Sequence, residues 1–241
     1  MQVDPTETGG AADAPSITAT GDGSSTLTSA RYGQTFHSHH GAVQESLHVF
    51  VGAGAVAERA REAGRVGVLE VGFGTGLNFL LSAAAVAGTG GQLDYVGLER
   101  DLLPAGVLER LDYGSYAAGW FERLLEFRGS LPEVVQQGSW AAAWPGVNLE
   151  LRVGDATGTP VEEGRFQAIY HDAFSPDVNG ELWTREFLAR LAGALAPGGR
   201  LVTYSVKGRV RRDLAAAGLS VRKLPGPNGG KREMLLALKP G

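Results

Sequence analysis

Cysteine is absent from the 241 residues, which excludes a disulfide framework, a thiolate nucleophile, a zinc ribbon and an iron–sulfur cluster. No apolar run approaches the roughly 20 residues of a membrane-spanning helix, and no internal repeat points to a solenoid. Charged residues are sparse, 20% against 43% hydrophobic, a balance that supplies one substantial core and does not resemble a disordered tail. The first 30 residues are rich in Gly, Ser, Thr, Ala and Asp but lack the basic start and apolar stretch of a signal peptide. They read as a flexible leader over 1–30, followed by a single domain over 31–241 with a cytoplasmic address and no membrane association.

A formal net charge of −4 argues weakly against a chain coated by nucleic acid, but the charge is unevenly spread. Residues 1–50 carry one basic and five acidic side chains, 51–199 carry 11 and 19, and 200–241 carry ten and two. Lys207, Arg209, Arg211, Arg212, Arg222, Lys223, Lys231 and Arg232 therefore sit in a basic end of an otherwise acidic chain. They read either as a phosphate-attracting face suited to a folded RNA or as solvated side chains of a helix and its turns.

Along the chain, β-branched or apolar runs alternate with helical patterns. Strands are expected over 66–71, 93–98, 149–153, 166–170, 201–205, 220–224 and 232–238, and helices over 55–63, 77 to about 87, 181–195 and 210–217. A turn is expected at Pro197, Gly198 and Gly199, and a hairpin between the last two strands. The stretch 101–147, with Trp120, Phe121, Trp140 and Trp144, reads as a helical insert whose aromatics pack rather than stack on bases. Together these predict an α/β fold: a mostly parallel seven-stranded sheet covered on both faces, with ligands at the carboxyl ends of its strands.

Every chemical signal falls at those ends. After the first strand, Glu70-Val71-Gly72-Phe73-Gly74-Thr75-Gly76 lets the backbone turn sharply and approach a ligand. The spacing is G-x-G-x-G with an acid before it, not the G-x-G-x-x-G that sets a pyrophosphate on a helix N-terminus. A carboxylate would repel a pyrophosphate but can hold an ammonium or a water beside a zwitterionic cofactor, so S-adenosylmethionine fits better than a dinucleotide. Glu99, ending the second strand, can accept from two ribose hydroxyls. Asp155 can accept from an adenine amino group while the Ala156 N–H faces a ring nitrogen, or can close a plain turn. Asn78 approaches the cofactor's amino-acid group or caps local backbone.

The fourth strand runs into Asp172, with Phe174 and Pro176 beyond it and no Ser-His or Cys-His partner nearby. An alkylamine with a pKa of about 10 is mostly protonated at neutral pH, so a carboxylate that orients it and takes a proton suits methyl transfer to nitrogen. The alternative is that Asp172 caps the next helical turn or hydrogen-bonds across the sheet edge. His171 reads as a core histidine, and His37, His39 and His40 do not complete a metal site. The segment 34–50 either covers the site or lies open.

With these residues in view, the sequence resembles the methyltransferase half of the bifunctional enzymes that finish 5-methylaminomethyl-2-thiouridine at the tRNA wobble position. The resemblance spans roughly 32–238 and rests on YGQTFHSHHGAVQESLHVF, VLEVGFGTGLNF, GLER, HDAFSPDVNGELW and GGKREML. It implies a class I S-adenosylmethionine-dependent methyltransferase (Rossmann-like) fold with a C-terminal antiparallel hairpin, and methylation of the 5-aminomethyl nitrogen of a tRNA wobble uridine. It further implies cofactor roles for Glu70, Gly72, Phe73, Gly74, Thr75, Gly76, Asn78, Glu99 and Asp155, a substrate role for Asp172, and a nucleoside wall formed by Phe174, Pro176, Trp183, Lys231 and Arg232. No FAD-dependent domain follows, so the aminomethyl intermediate is expected from separate enzymes. The other readings of the same residues are a small-amine or polyamine methyl or aminopropyl transferase, and a non-catalytic nucleotide- or RNA-binding protein.

Overall fold

The computed structural model describes residues 16–117 and 119–241. One eight-stranded sheet organises the chain. Its central strand, Arg65–Val71 (β3), is buried from Val68 onward and flanked in parallel by Gln92–Glu99 (β4) and Phe166–His171 (β7). Val147–Val153 (β6) extends the β4 side, and Leu195–Thr203 (β8) the β7 side. The terminal hairpin Ser220–Pro225 (β9) and Glu233–Leu238 (β10) joins through β10 antiparallel to β8.

The eighth strand corrects the expected count of seven. Gly138–Trp144 (β5) lies antiparallel to β6 at the sheet edge, inside the segment expected to be wholly helical. Its alanines favour helix, but Trp140, Ala142 and Trp144 are half-buried against the core while Ser139, Ala141 and Ala143 are exposed, the two-residue period of a strand. Among the described residues of the insert, only Ala105–Glu109 (α4), a short 3-10 turn and Trp120–Ser130 (α5) are helical. Trp120 and Phe121 are packed away, and Trp144 meets Trp120 edge to face at 6.2 Å. Likewise the expected turn at Pro197, Gly198 and Gly199 falls within β8, where the pairing with β7 shifts register between Phe166 and Ala168.

The leader expectation divides. Residues 1–15 lie outside the described residues, whereas Ile17–Ala19 (β1) and Ser25–Leu27 (β2) form a hairpin, with Leu27 fully buried. The small polar residues close its turn: Asp22 Oδ1 accepts from Thr20 Oγ1 at 2.8 Å and Ser24 N–H at 3.0 Å. Asp22 Oδ2 accepts from Gln44 N–H at 2.8 Å and ties the hairpin to Ala42–Glu45 (α1), which continues into a π-helical stretch, Ser46–Gly52.

Val56–Ala63 (α2) and Leu77–Ala87 (α3) cover one sheet face, with Phe79, Leu80 and Val86 fully buried. Arg185–Ala194 (α6) and Gly208–Ala216 (α7) cover the other through Leu188, Leu191, Val210 and Leu214. Each such side chain contributes roughly 1.5–3 kcal/mol on burial. In α7 the same amphipathic pattern leaves Arg209, Arg211 and Arg212 exposed. Among the described residues no helix is long and apolar enough to cross a membrane. The parallel register brings Val71, Leu98, Val153 and His171 to one edge, so the residues after them converge.

Candidate active site

A cavity of about 1000 Å³ opens at that edge. Its floor is the turn after β3. Gly72 has φ +89°, and a Cβ there would lie 2.8 Å from the Asp172 carbonyl oxygen, so only glycine lets the two strand ends approach. Gly74, at φ +54°, would direct a Cβ into the Phe36 ring at 2.8 Å. Gly72, Phe73, Gly74 and Thr75 line the cavity. Gly76 does not; it turns the chain into α3.

Glu99 faces the same space. Its Oε2 accepts from Gly74 N–H at 2.8 Å, and its Oε1 accepts from Arg100 and Asp101 N–H at 2.7 and 3.0 Å. Burial raises its pKa and these three donors oppose the rise. Oε1 is thereby filled, whereas Oε2 keeps one lone pair open for a hydroxyl. Asp155 is exposed and uses Oδ1 to accept from the Thr157 N–H and hydroxyl, each at 2.8 Å, which chiefly holds its pKa below the usual value. It closes its own turn and still lines the cavity beside Ala156. Arg190 steadies that turn from α6, donating to the Ala156 and Thr157 carbonyls.

Glu70 and Asn78 do not reach the cavity surface. Glu70 is 1% exposed; its Oε1 accepts from Asn78 Nδ2 at 2.7 Å and its Oε2 from the Tyr95 hydroxyl at 2.8 Å. Burial, against those two bonds, pushes its pKa up to about 8, so it is largely a neutral acid and not the exposed anion expected beside a zwitterion. Asn78 neither caps backbone nor lines the pocket. Its Nδ2 also donates to Asp172 Oδ2 at 2.8 Å, bridging the two acids. Asp172 does line the cavity, and burial, then the nearby Glu70 and Glu45, raise its pKa well above the ordinary carboxylate value, opposed by Asn78 and Lys231.

The opposite wall is aromatic. The Phe174 ring lies 4.5 Å from Tyr32 and 5.2 Å from Phe36 between centroids. Tyr32 and Phe36 come from residues 28–40, which cover the cavity and are fastened by Gln34 Nε2 donating to Ser175 Oγ at 2.9 Å and by an Arg31–Asp101 ion pair at 3.1 Å. Of the undecided segment 34–50, residues 34–40, with the loop at His37 to His40, belong to this cover, and only Glu45 of the rest lines the cavity. Trp183, expected on the nucleoside wall, is fully buried behind it, where Nε1 donates to the Phe174 carbonyl at 2.8 Å; its bulk and polar tip suit a supporting post. Pro176 and Arg232 also lie off the cavity wall, whereas Lys231 is on it.

His171 is fully buried at 4.1 Å from the Trp183 ring; burial, partly opposed by the Leu182 backbone, pushes its pKa to about 3, so it is a neutral core residue. His37 is buried against Thr26, and burial pushes its pKa to about 4 despite Asp22. Sequence reasoning missed several wall residues, among them Tyr32, Phe36, Glu45 and Tyr204. Glu45 interrupts the buried stripe Ala42, Ser46, Val49 and Phe50, and a carboxylate on an apolar helix face was the available signal. Tyr204 follows β8, a fifth strand end at the same edge.

The cavity fits S-adenosylmethionine: a turn bare of side chains at Gly72 and Gly74 for close approach, a half-buried carboxylate at Glu99 for a ribose, and a second acid at Asp172. A family model described as S-adenosyl-L-methionine-dependent methyltransferase matches residues 126–240. The chain is 36% identical over 222 residues to the tRNA 5-methylaminomethyl-2-thiouridine biosynthesis bifunctional protein MnmC of Pseudomonas aeruginosa, covering 85% of this chain and 32% of that protein. It is 35% identical over 228 residues to the protein of the same name from Ralstonia nicotianae, covering 88% and 33%. It thus spans about a third of the length of these curated relatives. The crystal structure of MNMC2 from Aquifex aeolicus matches with a TM-score of 0.76 at 30% identity, covering 95% of this chain and 72% of that one. Spermidine synthase from Thermotoga maritima shares the fold, with a TM-score of 0.51 at 14% identity. Matched along most of its length in sequence and in three dimensions, the chain belongs to the MnmC2 family of S-adenosylmethionine-dependent methyltransferases.

Proposed function

We propose that the protein methylates the exocyclic amine of a 5-aminomethyl (2-thio)uridine at the tRNA wobble position, giving 5-methylaminomethyl-2-thiouridine. The observation that carries this reading is Asp172: a half-buried acid on the wall of the cavity, one oxygen held by Asn78, beside Gly72 and sharing the cavity with Glu99. Asp172 Oδ1 has no partner among the described residues, so in its ionised form, which Asn78 and Lys231 favour against the burial that raises its pKa, it is left to accept a proton from the acceptor's ammonium. S-adenosylmethionine, when bound, supplies an electrophilic methyl group on a sulfonium.

Glu99 Oε2 takes a ribose hydroxyl, the backbone of 72–75 accommodates the amino-acid portion, and the turn at Asp155 and Ala156 borders the adenine. Glu70 and Asn78 act from behind by fixing Asp172. Phe174, with Tyr32 and Phe36, forms the nucleoside side; Trp183 supports Phe174 through its carbonyl. Pro176 and Arg232 take part only at the rim. The exposed Arg209, Arg211, Arg212 and Arg222 are the phosphate contacts of a tRNA partner, whereas Lys207 and Lys223 are engaged with Asp177 and Glu233. The reaction is placed in the cytoplasm, where tRNA is modified.

Transfer of labelled methyl to undermodified tRNA, followed by nucleoside analysis, is expected to place the label in 5-methylaminomethyl-2-thiouridine. Label in a polyamine and none in tRNA would favour the small-amine reading, and tight binding of cofactor and RNA without transfer would favour a binding protein.

A further inference from the structure

Three groups on the acceptor side of the cavity take no part in the chemistry just described: Glu45, Tyr204 and Lys231. They come from α1, the end of β8 and the turn between β9 and β10, and they face one another across the space beside Asp172. Glu45 is 9% exposed, and among the described residues only its Oε2 is engaged, by the Ser38 N–H at 2.8 Å. The Tyr204 hydroxyl donates to the Ala173 carbonyl at 2.8 Å, which fixes the ring beside the backbone of Asp172. The Lys231 ammonium lies 3.7 Å from the Tyr204 ring centroid and has no ion pair within 4.0 Å among the described residues. An ammonium on a π-face, with the buried Glu45 and the half-buried Asp172 nearby and no direct partner, is attracted but not fastened. Lys231 is exposed as a whole residue, and the partial desolvation of its ammonium lowers its pKa while Glu45 and Asp172 oppose the fall.

We propose that Glu45, Asp172 and the face of Tyr204 form a subsite for a primary alkylammonium, in which the Lys231 side chain is an internal occupant that the acceptor amine displaces. This rests on the reading of the acceptor as an amine and adds its recognition: Glu45 and Tyr204 are specificity-determining residues, and Lys231 holds the place of the substrate's ammonium. Lys231 is carried on a glycine-containing turn, Gly229 at φ +75° followed by Gly230, so its side chain can leave without disturbing the sheet.

The test uses two cofactor-site ligands on the full chain. Sinefungin carries a primary amine where the transferable methyl stands, and S-adenosylhomocysteine carries nothing there. Calorimetry at pH 7 is expected to show wild type preferring sinefungin. Glu45→Gln should cut that preference roughly tenfold, the scale of a lost hydrogen bond to a charged group, with S-adenosylhomocysteine affinity retained as the control for folding. Lys231→Met should widen the preference, because the competitor is gone. Unchanged preference in both variants, or a narrowed one in Lys231→Met, overturns the subsite; if Glu45→Gln fails to bind S-adenosylhomocysteine, Lys231→Met alone decides. Expected ratios without methyl transfer to tRNA would defeat the tRNA assignment and leave the subsite standing. Flat ratios with tRNA methylation intact would do the reverse.

Discussion

On the glycine-loop side of the cavity the wall is mostly backbone: Gly72 and Gly74 present bare main chain, and Glu99 is held by three N–H groups from residues 74, 100 and 101. On the acceptor side the wall is side chain: Asp172, Glu45, Tyr204, Lys231 and the ring trio of Tyr32, Phe36 and Phe174. The first side draws its groups from consecutive strand ends and so is rigid once the sheet forms. The second gathers groups from residues 32 to 231 and is finished only when the cover and the terminal hairpin are in place. Substitutions on the two sides should therefore fail differently, the first in ligand affinity and the second in turnover.

The largest effect expected is at Asp172. Asp172→Asn should leave S-adenosylmethionine affinity near wild type while methyl transfer falls on the order of 100- to 10,000-fold, the range for a lost acid–base group. Equal kcat and kcat/KM across neutral pH would remove Asp172 from proton handling. Glu99→Gln should show the opposite pattern. Loss of a charge-assisted bond to a hydroxyl costs roughly 1.5–3 kcal/mol, so the Kd should rise about 10- to 100-fold with kcat at saturation little changed. A drop in kcat with affinity intact would erase the division between the two sides.

The same division explains what the sequence disclosed. Glycines whose φ is positive, and acids one residue past a β-branched run, announce themselves locally, so Gly72, Gly74, Glu99 and Asp172 could be read from spacing. Roles that depend on which neighbour a side chain finds could not. Glu70 was read as an anion at the ligand because it precedes the loop, yet β4 sets Tyr95 against it and α3 sets Asn78, and together they hold it below the surface. Trp183 sits in a convincing motif and faces inward. Glu45 joined the site because the π-helical stretch and the β1–β2 hairpin seat α1 against the cavity, a tertiary fact with no local mark beyond one misplaced charge. The fold was legible wherever strand and helix periods were clean, and failed at the alanine-rich β5.

Glu70 sharpens the comparison through pH. Its carboxyl is raised from 4.5 to about 8 in the folded chain, so between those values the folded state holds a proton that the unfolded state has released. Stability from this group is complete below about 4.5 and is lost as pH climbs to about 8. Glu70→Gln keeps a neutral group of the same shape and removes that slope. Thermal melts should show the variant gaining on wild type by several degrees as pH rises through this window; parallel curves would mean that Glu70 is ionised in the fold.

The smallest expected effect lies on the glycine-loop side, at Arg190. Its guanidinium lies over the Phe187 ring at 4.9 Å and donates to the carbonyls of Ala156 and Thr157, so the turn carrying Asp155 is braced from α6 as well as by its own Asp155–Thr157 bonds. Arg190→Met keeps the apolar packing and removes the brace. With one net hydrogen bond at about 1 kcal/mol, S-adenosylhomocysteine should bind roughly fivefold more weakly by calorimetry, while kcat at saturating cofactor stays near wild type. Arg190→Lys, able to reach one carbonyl, should fall between. If Arg190→Met is silent and Asp155→Ala alone weakens binding, the turn holds itself, and this side is even less dependent on distant residues than its geometry implies.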